Sequence, residues 1–156
     1  FQGPPFHHKT LEEGLKTIDV ALEKGEMGHL DFHGVGGDWH VVPMDYYIPL
    51  LDRLQAESHR LWVTDHITYH KYVTQRKSAK VNVLSTSENE IRLMLTCDAD
   101  PALYDLPLTL RTRVPAGWQR CTIHQGDEQI PSQPTDGFVQ YSAKPGSEIV
   151  IVLHNQ

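Results

Sequence analysis

A chain of 156 residues with 39% hydrophobic and 22% charged side chains reads as an ordinary globular protein, long enough for one domain or two small ones. No run approaches the roughly 18 to 20 apolar residues of a membrane span, and no basic-then-apolar signal peptide opens the sequence. The formal charge of -6 argues against nucleic acid or an anionic membrane surface as partner, since basic clusters such as Arg76 and Lys77 with Lys80 are short. Phe1, Gln2 and Gly3 read as the remnant of a cleaved purification tag, and residues 1–9, with His7 and His8, as a tail.

Residues 10–80 alternate between helical and strand patterns. Thr10 and Glu13 form a capping box before Leu11, Leu15, Ile18 and Leu22, which share one helical face, and Gly25 stands where a left-handed C-terminal residue is wanted. Residues 27–33 are short and bounded by glycines, so they read as a strand with His29, Asp31 and His33 on one face and Leu30 and Phe32 on the other. A second helix begins between Pro43 and Pro49 and turns Ile48, Leu51 and Leu54 inward, Pro49 being tolerable near its first turn. Leu61, Trp62 and Val63 read as a brief buried strand, and Asp65 caps a third helix carrying Ile67, Tyr69, Tyr72 and Val73 before a polar run at 75–77. This order predicts parallel α/β structure over residues 10–80, an incomplete piece of a (β/α)-barrel-like unit.

From Val81 the apolar period becomes two. Ile91, Leu93, Leu95 and Cys97 alternate with polar neighbours, as do Leu108, Leu110, Thr112 and Val114, and shorter runs follow at 121–125, 138–143 and 149–153. Turn signals between them predict an all-β, immunoglobulin-like sandwich over 81–156 with about six or seven strands. Cys97 and Cys121 are too few for a disulfide scaffold and lack metal-ligand spacing; each fits a buried free thiol, with a single inter-strand bridge as the other reading.

The stretch "GHLDFHGVGGDWH" gathers three histidines and two aspartates beside four glycines. On a strand, His29 and His33 would stand about 13 Å apart, too far to share a metal ion unaided. Asp31 is a candidate orienter of His33, provided that a side chain leans, and Trp39 is a candidate platform for a sugar ring, as is Trp118 unless it packs in the core. His66 and His70 share a helical face, yet no third ligand is identifiable beside them.

The segments "TLEEGLKTIDVALEKGEMGHLDFHGVG" and "YYIPLLDRLQAESHRLWVTDHITYHKYVTQR" resemble the final third of NodB-like polysaccharide deacetylases, carbohydrate esterase family four. The matching features are Ala21 to Gly25 at a helix end, His33 with Gly34 at a strand end, Leu61 to Asp65, and Tyr72 with Arg76 on a helix. The later stretches "YDLPLTLRTRVPAGW" and "VQYSAKPGSEIVI" resemble a β-sandwich appended to some members. The resemblance implies removal of acetyl groups from an acetylated sugar polymer at a divalent metal, zinc being the expected ion, in a secreted or periplasmic protein. It assigns His33 the role of general acid.

The same resemblance marks what this chain lacks. The family's early Asp-Asp pair and its His-x-x-x-His ligand pair are absent, so no complete metal site can be assembled from these residues. Three readings follow: the C-terminal portion of a deacetylase-like protein acting with a missing N-terminal segment; a noncatalytic carbohydrate-binding module; or an interaction protein whose α/β segment docks on a partner chain. The second and third need polysaccharide or protein contacts rather than chemistry.

Overall fold

The computed structural model describes residues 10–37, 39 and 41–153. The tag remnant and the tail histidines lie outside the described residues, as do Asp38 and His40. Contacts divide the chain into two compact units between Val63 and Thr64, rather than at the change of period near residue 81.

The first unit is a helical hairpin with a small extended element. Helix α1 (Leu11–Lys24) begins with the expected capping box: the Glu13 amide donates to Thr10 Oγ1 at 3.2 Å, and the Thr10 amide donates to the Glu13 carboxylate at 3.2 Å. It ends at Gly25, whose φ of +64° places it in the left-handed region. Strands β1 (His33–Val35) and β2 (Val41–Val42) pair in parallel, and α2 (Met44–Ala56) packs on α1. Their core is Ile18, Val42, Tyr46 and Leu50. Gly14 makes the helix contact possible, because a Cβ there would lie 2.8 Å from the Tyr46 hydroxyl. Arg53 of α2 bonds Asp19 of α1 at 2.8 Å across the exposed edge.

The second unit opens with α3 (His66–Ser78), capped by Asp65, which accepts from the Thr68 amide at 2.7 Å. Seven strands follow: β3 (Ala79–Thr86), β4 (Glu90–Cys97), β5 (Leu108–Arg113), β6 (Cys121–Gln125), β7 (Glu128–Ser132), β8 (Phe138–Ala143) and β9 (Glu148–Leu153). They form an antiparallel sheet ordered β3-β4-β9-β6-β7 and a two-stranded sheet β5-β8. Ile91, Leu93, Leu95, Ile123, Ile149 and Ile151 from the larger sheet meet Leu108, Val139 and Tyr141 from the smaller in one core, as the period-two pattern requires. Pro131 sits in β7, an edge strand, where its missing N–H costs no ladder bond.

Three expectations are corrected. The barrel-like α/β piece is not formed: residues 27–32 and 61–63 belong to no strand, and the parallel pairing is confined to three residues of β1 and two of β2. A strand pattern becomes a strand only when a neighbour accepts its backbone bonds, and neither segment finds one. The immunoglobulin order also fails, since the last strand, β9, lies between β4 and β6, where that fold places its fifth strand. In α2, Ile48 and Leu51 face outward while Tyr46 and Leu50 are buried, and Pro49 stands at the sixth helical position. Both cysteines are free thiols, Cys121 buried and Cys97 half-buried against Ser78.

Helix α3 belongs to the sandwich because of Gln75. Its side chain is fully buried; Nε2 donates to the Leu106 carbonyl at 2.9 Å, and Oε1 accepts from the Leu106 amide at 3.0 Å. Gln75→Met would keep the length of the side chain and remove both bonds. We expect urea unfolding of the second unit to show a loss of about 1–3 kcal/mol, the usual cost of unpairing partly buried backbone groups. A change under about 0.5 kcal/mol would mean that solvent replaces the amide without penalty.

Candidate functional site

After the left-handed Gly25, the chain turns back along α1. Gly28 lies against it, where a Cβ would meet Thr17 Cγ2 at 3.1 Å and Ala21 Cβ at 3.3 Å. Leu30 and Phe32 then pack on the first unit's core. The Phe32 ring stands edge-on to Tyr47 with centroids 5.2 Å apart, and lies 6.2 Å from Tyr46. These contacts fix the backbone that enters β1, and so the position of His33.

The turn beyond His33 is built from glycines for steric reasons. Gly34 has φ +43°, and a Cβ there would collide with the Trp39 carbonyl oxygen. Its own carbonyl accepts from the Gly37 amide at 2.8 Å, while the Gly36 amide donates to the Val42 carbonyl at 3.0 Å. The turn thereby brings Trp39 back over the strand. The half-buried His33 ring meets it edge-on, centroids 5.0 Å apart and planes at 75°, and Trp39 remains 64% exposed.

This arrangement joins two of the three residues singled out from the sequence. Asp31 is half-buried in the extended segment before β1, and no hydrogen bond links its carboxylate to His33. His33 and Trp39 together offer an imidazole able to carry a proton beside an exposed aromatic face able to take a sugar ring. Against Gly14 of α1, the Tyr46 hydroxyl has no hydrogen-bond partner among the described residues, and burial, with the Glu13 charge second, pushes its pKa up.

The other candidates fall elsewhere. Trp118 is buried, its indole N–H donating to the Glu88 carbonyl at 2.9 Å, and is a core residue of the sandwich. His66 and His70 are exposed on α3, His70 tilting toward Tyr104. Among the described residues no three His, Cys, Asp or Glu side chains gather closely enough to hold a metal ion. Sequence reasoning passed over Arg111 and Phe138, which the structure brings together. Their shared outward face across two paired strands was a signal only once the pairing was known.

No family model matches the chain, and no solved structure matches it. It is 31% identical over 86 residues to a gellan lyase from a Bacillus species, a stretch covering 55% of this chain and 3% of that protein. The chain therefore corresponds to a small fraction of that relative's length. A match of 86 residues is longer than the first unit and so includes part of the second.

Gly34→Ala tests the turn. An added methyl would strike the Trp39 carbonyl, and an L-residue would have to hold a positive φ. We expect the first unit to lose about 1–3 kcal/mol. The ring-current shift of the His33 protons in the NMR spectrum should collapse toward its random-coil value as Trp39 moves away.

Proposed function

We propose that this chain is a portion of a larger protein acting on a carbohydrate polymer, that the reaction is removal of acetyl groups, and that His33 is its general acid. The observation that carries the reading is the His33–Trp39 pair, held by a turn that admits no side chain at Gly34. In this role Trp39 takes the face of a sugar ring, and the protonated His33 ring donates its N–H to the leaving oxygen or nitrogen as the acyl bond breaks. The residues that bind the acetyl carbonyl and activate water come from another part of the protein.

The surface of the first unit supports an origin in something larger. Val35, Trp39, Val41, Met44, Ile48 and Leu51 are each 40% or more exposed, on β1, its turn, β2 and α2. Parallel strands are ordinarily covered on both faces, and so much uncovered apolar surface on one small element is unusual for a free-standing domain. The gellan lyase likeness supports a carbohydrate polymer as the substrate class and does not speak to deacetylation. Its inclusion of part of the second unit, together with its small share of that protein, favours a second reading: a noncatalytic module that keeps a larger enzyme on its polymer.

His33→Ala in the longer protein that carries this chain distinguishes the two. With the first reading, acetate release from an acetylated oligosaccharide falls by about 10²–10⁴ while the circular dichroism spectrum is unchanged, the usual worth of a positioned general acid. Unchanged turnover removes His33 from the chemistry. Loss of oligosaccharide-induced tryptophan fluorescence change in Trp39→Ala, with turnover on a soluble short substrate intact, would identify the noncatalytic module.

A further inference from the structure

The outward face of the β5-β8 sheet carries a feature that the His33 site does not use. Alternation along these strands buries Val139, Tyr141 and Leu108, which leaves Arg111 and Arg113 of β5 facing outward beside Phe138 and Gln140 of β8. Arg111 is opposite Gln140 in the ladder, and Arg113 is opposite Phe138. The Arg111 guanidinium lies diagonally over the Phe138 ring, its Cζ 3.9 Å from the centroid.

Two facts distinguish these arginines from ordinary surface cations. Arg92, elsewhere on the larger sheet, is clamped between Glu90 at 2.6 Å and Glu148 at 3.0 Å, whereas neither Arg111 nor Arg113 has an ion pair among the described residues. Arg111 is nonetheless held in place, because the ring fixes the plane of the guanidinium while leaving its N–H edges open. A positively charged, prepositioned fork without a carboxylate partner is the usual receptor for one from outside.

Arg111 and Phe138 also line a shallow cleft whose far rim is the turn at Thr135 and Asp136. This rim is rigid. Thr135 and Phe138 exchange amide-to-carbonyl bonds of 2.8 and 3.0 Å, and Asp136 is held at φ +52°, in the left-handed region where non-glycine residues are uncommon. The cleft therefore has a cationic wall, amide and hydroxyl groups along its floor, and one carboxylate on the opposite rim.

We propose that this cleft binds a uronate-bearing oligosaccharide, with the sugar carboxylate on Arg111 and ring hydroxyls on Gln140, Thr135 and Asp136. The Asp136 carboxylate accepts hydrogen bonds from hydroxyls and repels a second anion, which favours a sugar with spaced charges over a polyphosphate backbone. The formal charge of -6 disfavours nucleic acid for the same reason. That the ligand is a sugar rests on the carbohydrate reading above; that it is anionic rests on this face alone.

Titration of the full chain with oligogalacturonate, followed by calorimetry and by NMR shift mapping, tests both parts. We expect saturable binding that weakens with added salt, shifts concentrated at Arg111, Arg113, Phe138 and Gln140, and affinity about tenfold or more above that of a neutral galacto-oligosaccharide of equal length. Arg111→Gln should weaken binding about tenfold with an unchanged unfolding midpoint. If that variant is destabilised, Gln140→Ala, at an outward-facing position of β8 that lines the same cleft, carries the same test. Equal affinity for the neutral oligomer, shifts located only around Trp39, or no saturation at millimolar ligand overturns the proposal. Equal binding of poly-glutamate overturns the sugar assignment alone, and unchanged acetate release in His33→Ala overturns the deacetylase reading while leaving saturable binding at the cleft as the support for this proposal.

Discussion

One buried amide decides how the second half of this chain is assembled. Gln75 presents both halves of its carboxamide to the backbone of Leu106, in the connection between β4 and β5 that carries the chain from the larger sheet to the smaller. A backbone crossing between sheets leaves its own N–H and C=O without a ladder partner, and in a partly dry position these groups must be met by something. The helix supplies it. Around this clasp, the Tyr72 hydroxyl accepts from the Thr109 amide at 3.3 Å, and Lys71 meets Asp105 at 3.1 Å, so three residues on two adjacent turns of α3 bond to the chain between 105 and 109. A similar device recurs where Gln125 bonds both the carbonyl and the amide of Lys144, at 2.8 and 2.9 Å.

This explains why local pattern located the elements and misassigned a helix. The capping boxes and caps at Thr10, Gly25 and Asp65 were legible because they act within four residues, and the sandwich core was legible because alternation along Ile91, Leu93 and Leu95 depends on one face being buried. The partner of α3 was not legible. Gln75 stands in a run of polar residues, and its burial follows only from a backbone group 31 positions away that is short of a hydrogen bond. The failed strands at 27–32 and 61–63 have the same cause in reverse: their side chains alternate suitably, but strand formation is a property of pairs. In α2 Leu54 packs on the core as its spacing suggests, but Ile48 and Leu51 were misread by about one position, since Tyr46 and Leu50 are the residues that Gly14 allows to approach α1.

At the candidate site the sequence showed the residue types and not their geometry. His33 and Trp39 are six positions apart, and a strand continuing through Gly34 would have carried them far from each other. They meet because the positive φ values of Gly34 and Gly36 fold the chain back within the distance of a ring contact. Such a reversal is also compatible with a plain structural turn. What separates the two is exposure: a tryptophan kept for packing alone would resemble Trp118, buried with its indole N–H bonded to a carbonyl, whereas Trp39 leaves most of its surface open.

In the Arg111 cleft an aromatic ring holds a polar group in position without occupying the hydrogen-bonding atoms that the group needs for a ligand. A carboxylate would have fixed the guanidinium of Arg111 more firmly than Phe138 does, as Glu90 and Glu148 fix Arg92, but it would also have consumed the charge and the N–H groups. A ring contact is worth less, about 0.5–1 kcal/mol at an exposed site, and leaves both available. The weaker restraint is therefore the one that suits a group meant to meet something from solution, and on this criterion Arg92 is structural and Arg111 is not.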